Sequence, residues 1–160
     1  MWYLTFENFI VTGGGNSGII VGLIEGGLNS ITSVIVTNSS ISAANSVGGF
    51  IGRNLGSKLT LSNVLNDTFV GSDGSWNGGF IGVSANELII TKAVNYGTVS
   101  GAAQYNGGLI GILWNNSNAS LDQVGNLGLI NAGTDGAGGL IGGTSGSGPR
   151  EISIYNGFNL

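Results

Sequence analysis

The side chains able to do acid–base chemistry in this sequence are eight carboxylates: Glu7, Glu25, Asp67, Asp73, Glu87, Asp122, Asp135 and Glu151. Histidine and cysteine are absent, which removes the commonest general base, the thiolate nucleophile and the usual zinc ligands together. Two carboxylates alone can hydrolyse a glycosidic bond, one protonating the leaving oxygen and the other attacking or activating water, when they stand roughly 5–10 Å apart. Within the repeat described below the eight scatter in phase, and no two are placed to form such a dyad. They read as solvated turn residues, and the chain reads as a protein that is not an enzyme.

Other motifs are equally short of a site. Gly71-Ser72-Asp73-Gly74 resembles one turn of a calcium-binding β-roll, but such rolls carry an acid in every copy, and no metal is expected. The glycines between Gly143 and Gly148 have loose phosphate-loop spacing without the lysine that would follow, so no cofactor is expected either. Four Lys+Arg against eight Asp+Glu, a net charge of −4, leave no basic run for a phosphate backbone. Nucleic acid is therefore not an expected partner.

Two sets of residues are candidates for surface roles, Asn38 and Asn66 among them only if the asparagine ladder described below faces outward. Asn38, Asn66, Asn115 and Asn118 each begin an Asn-x-Ser/Thr sequon; in a eukaryotic secreted protein a glycan fits best at Asn115 and Asn118, in a polar loop. Trp76-Asn77 and Tyr105-Asn106 stand 29 residues apart, each just before a glycine pair. Aromatic rings beside amides on neighbouring repeats suit a sugar ring, although covering a corner of the core is the plainer role.

The elements that hold these residues follow from composition and period. Of 160 residues 32 are glycine and only 8% are charged, against about 25% in ordinary domains. A disordered chain would combine high charge with low hydropathy, whereas this one is 41% hydrophobic with a mean hydropathy of +0.33. Residues 1–160 are expected to form one folded domain. No apolar run approaches the roughly 18 residues of a membrane helix. Met1-Trp2-Tyr3-Leu4 lacks the basic and small-residue features of a signal peptide, so a secreted protein would be represented by its mature form or a fragment.

Gly48-Gly49-Phe50-Ile51-Gly52 recurs as Gly78-Gly79-Phe80-Ile81-Gly82, Gly107-Gly108-Leu109-Ile110-Gly111 and Gly138-Gly139-Leu140-Ile141-Gly142, at steps of 30, 29 and 31 residues. A degenerate copy, Gly18-Ile19-Ile20-Val21-Gly22, precedes them by 30 residues. Asn38, Asn66, Asn95, Asn126 and Asn156 keep the same period, and Val70, Val99, Ile130 and Leu160 follow four residues after the last four of these. Between the markers lie short β segments separated by Gly, Asn, Ser and Asp clusters, with no helical stripe. One such unit cannot bury its own apolar face; stacked units can, pairing backbones about 4.8 Å apart. The predicted fold is all-β, a β-solenoid of about five 30-residue coils, with glycines at corners needing φ > 0 and asparagines stacked in a side-chain ladder.

Gly108-Leu109-Ile110-Gly111 and Gly139-Leu140-Ile141-Gly142 resemble the GLUG-motif repeats of bacterial and protist surface or secreted proteins. The resemblance runs from Gly18 onward, with Ile20, Phe50 and Phe80 departing from the motif's leucine. It implies an extracellular, often adhesin-associated repeat module and carries no catalytic residues.

Assembly has two expected sources. Strand alternation sends Phe50, Phe80, Leu109 and Leu140 one way and Ile51, Ile81, Ile110 and Ile141 the other, which predicts an outward apolar stripe of isoleucines able to pack on another solenoid. Leu160 is placed in the phase of Ile10, and neither terminal segment shows an evident cap, so head-to-tail stacking of copies is expected. The function these features suggest is an extracellular structural protein, a fibre or filament subunit or surface repeat. The alternatives are an adhesin or carbohydrate binder using Trp76 and Tyr105, or an ice binder using Thr60, Thr68, Thr91 and Thr98.

Overall fold

The computed structural model describes residues 2–160 and contains twenty strands and no helix among them. Each coil is a long strand, a two-residue corner strand and a short strand. The pattern is clearest in Leu28–Ala43, Val47–Gly48 and Ile51–Asn54, and in the next turn, Lys58–Ser72, Asn77–Gly78 and Ile81–Ala85. Every strand pairs in parallel with its counterpart about 30 residues away, so three parallel sheets run the length of the chain. Ile51 pairs with Ile81, Ile81 with Ile110 and Ile110 with Ile141. The protein is a β-solenoid of about five turns.

The bends are made by left-handed residues stacked on one another. Ser33, Asn63, Lys92, Gln123 and Asn156 occupy one column within the long strands, and all have φ between 50° and 60°. Each reverses the alternation of its strand: Leu59 and Leu61 point inward before Asn63, Val64 and Asn66 after it. A second such column, Ser46, Trp76, Tyr105 and Gly136, precedes the corner strands. The repeated glycines do not serve this purpose. Gly27, Gly136 and Gly146 are the positive-φ glycines among the described residues, and none belongs to a Gly-Gly-x-Ile-Gly block. Those glycines are required for space instead. A Cβ on Gly82, Gly111 or Gly142 would come within 2.7 Å of corner backbone in the preceding coil.

That close approach also overturns the apolar stripe. The chain turns so tightly after each glycine pair that a Cβ on Gly48, Gly78 or Gly107 would run into the carbonyl of Ile51, Ile81 or Ile110. Both rows are consequently tucked in. Phe50, Phe80 and Leu109 are 0% exposed, and so are Ile51, Ile81 and Ile110. Leu140 and Ile141, in the last coil, pack partly buried against the same cluster. Phe50 and Phe80 meet edge to face at 4.9 Å between centroids, a geometry that adds about 1 kcal/mol to simple burial. These isoleucines are core, not an assembly surface. Ile81→Lys is expected to cost more than about 4 kcal/mol, because it buries an unpaired ammonium. Urea unfolding followed by β-sheet circular dichroism measures this, and an unchanged midpoint would place the row at the surface after all.

Candidate functional site

Inside the long-strand sheet, polar side chains are built into the core. Asn66 donates from Nδ2 to Asn95 Oδ1 at 2.7 Å, Asn95 to Asn126 at 2.8 Å, and Asn126 to Asn159 at 2.9 Å. Asn95 and Asn126 spend the second amide proton on the carbonyls of Gly97 and Gly128, both at 2.8 Å. Each of these two amides thereby closes its own turn and ties two coils. Asn66 and Asn95 are 0% exposed and Asn126 1%.

This ladder is not the column read from spacing. Val36, not Asn38, lies opposite Asn66, because the strand shifts register between Val36 and Ser39 and pushes Asn38 to the surface, where it bonds Glu7. At the other end Asn159 pairs with Asn126, while Asn156 takes the left-handed column and bonds Asp122. Leu160 accordingly repeats Leu127, not Ile130 or Ile10: its N–H bonds Asn126 O as that of Leu127 bonds Asn95 O.

The second glycine of each block but the last is kept bare by two neighbours, the backbone oxygen of the next coil's second glycine and this ladder. A Cβ on Gly49 would sit 2.5 Å from Asn66 Oδ1, one on Gly79 2.5 Å from Asn95 Cγ, and one on Gly108 2.7 Å from Asn126 Cβ. In the first coil both partners change together: Ile19 stands in the glycine column and Val36 in the asparagine column, and both are buried in the hydrophobic cluster. The ladder therefore ends against a valine, and Asn66 Oδ1 is a buried oxygen without a partner. A second, shorter ladder escaped the sequence reading. Asn77 donates to Asn106 at 2.8 Å in the corner sheet, with Val47 and Ala137 as neighbours below and above. Its signal was the Asn-Gly-Gly triplet, which appears in only two coils.

The residues expected to do chemistry are dispersed. Asp122 is half-buried; the other seven carboxylates are exposed. Several tie coils together: Glu7 accepts from Asn38, Asp122 from Asn156, Asp135 from Gln104, and Glu87 pairs with Lys58 at 2.8 Å. Of the sequons, Asn66 and Thr68 are both 0% exposed, so Asn66 is closed to a glycan in the folded chain. Asn38, Asn115 and Asn118 are exposed, although Asn118 Oδ1 accepts the N–H of Glu151 at 2.8 Å.

Trp76 and Tyr105 sit one above the other at the corner, both half-buried and both left-handed, with φ of 71° and 61°. Trp76 stacks on Trp114, which spacing did not single out, at 6.3 Å and 24°. On Trp114 lies the guanidinium of Arg53, 4.4 Å from the ring centroid. Tyr105 covers Gly143, whose Cβ position its ring fills. Arg53, Val83, Ile112 and Gly143 form one column of the short-strand sheet, so the three aromatics and the arginine make one ridge along it.

The fold and these side chains define a parallel β-solenoid with internal amide ladders and one aromatic ridge. No family model matches the chain, and no curated protein or solved structure matches it.

Two substitutions test the ladder. Asn95→Ala orphans Asn66 Nδ2, Asn126 Oδ1 and the Gly97 amide, at about 1–3 kcal/mol each, and is expected to lose about 3–6 kcal/mol of unfolding free energy in urea. Gly79→Ala is expected to be nearly as damaging, while Gly26→Ala, which meets nothing within 4 Å, should stay within about 0.5 kcal/mol of the parent.

Proposed function

We propose that the protein is an extracellular structural element, a strut of a fibre or surface array that lengthens by adding coils, its partners being copies of itself. The observation that carries this reading is where the polar side chains go. Asparagines that could face a ligand are buried between coils instead, as inter-coil bonds. The three sheets finish in strands paired on one side, Leu4–Glu7 and Ile152–Tyr155 in the largest of them. A parallel edge of this kind accepts a further coil, whether of another copy or of the same chain. The end strands expose apolar side chains as well, among them Leu4, Ile152 and Ile154. The isoleucine row has no part in assembly, since it is core. An extracellular setting agrees with the resemblance to surface repeats and with the exposed Asn115 and Asn118.

A second reading, glycan binding by an adhesin, is favoured by the ridge of Trp76, Trp114 and Arg53. Ice binding has less behind it. Thr68 is buried, and Thr60 shares its column with Ser30, Ile89, Ser120 and Ser153, which is no regular threonine file.

Electron microscopy and light scattering of the purified chain at rising concentration should show end-to-end oligomers or filaments. Ile154→Lys, which places a charge on an edge strand, should suppress them without altering the β spectrum. Dispersed monomers at every concentration would contradict the structural reading.

A further inference from the structure

We propose that the ridge formed by Arg53, Trp114, Trp76 and Tyr105 is a binding site for an acidic glycan, a sugar chain carrying carboxylate or sulfate groups. The proposal rests on the glycan-binding reading and names the substrate class.

Arg53 is the first ground. Its guanidinium carbon lies over the Trp114 ring, 4.4 Å from the centroid, a contact that tethers the group. No carboxylate pairs with it, and none of its N–H groups has a hydrogen-bond partner among the described residues. Among the described residues the ion pair is Lys58–Glu87, which does not involve Arg53, and Arg53 Nε is shielded from solvent without an acceptor. A buried donor left bare is costly, and in native structures such a group calls for an explanation. A guanidinium tethered on a ring with no carboxylate partner keeps its planar fork for bidentate recognition of a carboxylate or sulfate.

Backbone strain is the second ground. The left-handed conformation is uncommon for any side chain and an outlier for a bulky one, yet Trp76 and Tyr105 both adopt it. The same corner accepts Ser46 and Gly136 in other coils, so the fold does not demand aromatics there. Strain of this kind persists where the side chain has a task. The rings lie along a column whose Val83 and Ile112 are buried outside the main cluster, and they remain partly exposed themselves.

The shape favours a chain over a single sugar. From Arg53 to Gly143 the column climbs three coil steps, about 14 Å at the usual strand spacing. Aromatic faces suit the apolar face of a sugar ring, and the arginine at one end suits its acid. A nucleic acid would need a run of cations, whereas the chain has four Lys+Arg in all.

Tryptophan fluorescence and titration calorimetry with hexagalacturonate, a heparin hexasaccharide and neutral cellohexaose test the assignment. One or both acidic hexasaccharides should bind and cellohexaose should bind more weakly. Arg53→Gln should reduce acidic binding by at least about tenfold, the weight of one charge-assisted bond. Arg53→Lys, which keeps charge but not the planar fork, should recover only part of the loss, with the β spectrum of both variants unchanged. Equal binding of cellohexaose, indifferent to Arg53→Gln, would overturn the acidic assignment and leave glycan binding standing. Absence of binding to all three would overturn both.

Discussion

Everything in this solenoid depends on a fit between two columns, the asparagines of the long strands and the second glycines of the corner blocks. The amides of Asn66, Asn95 and Asn126 fill the volume that a Cβ on Gly49, Gly79 or Gly108 would occupy. Neither column can change alone. A side chain on the glycine would strike both the next coil's backbone oxygen and the amide, and an apolar residue in place of the asparagine would leave turn and neighbour groups buried without partners, each worth about 1–3 kcal/mol. Apolar packing holds the coil closed, but it tolerates sliding and substitution. The amides do not, because each must meet its neighbour within hydrogen-bond distance.

The first coil supplies the internal control. There the glycine has become Ile19 and the asparagine Val36, and the pair fills the same space with hydrocarbon. The exchange is complementary in volume and polarity, as expected if the two positions touch. It leaves Asn66 Oδ1 unsatisfied, so this junction is a polar weak point of the stack. Stacked left-handed residues supply the bends, and asparagine recurs in them because its short polar side chain tolerates that conformation.

The repeat was legible because parallel stacking demands equivalent residues at each level, so the period of the glycine blocks is the period of the structure. The amide ladder was legible in kind but misplaced at both ends. Asn38 and Asn156 keep the count along the chain, yet one is displaced by a register shift and the other belongs to a bend. Counting residues cannot see a bulge. The isoleucine row was misjudged for a related reason: alternation holds for a straight strand, and the tight turn after each glycine pair breaks it. Glycine itself was assigned to φ > 0 when its lack of a side chain was the point. The ridge was half visible, through Trp76 and Tyr105. Arg53 and Trp114 come from different coils and different phases, and only folding brings them together.

The ridge is where an arginine without a carboxylate partner and left-handed aromatics coincide. The central claim, however, concerns the interior. Side-chain amide hydrogen exchange of Asn66, Asn95 and Asn126, followed by NMR, tests it most directly. If these amides lock the coils together, their NH2 protons should exchange as slowly as the best protected backbone amides, through global unfolding. Exchange at the rate of an exposed asparagine such as Asn115 would show that the ladder does not hold the stack.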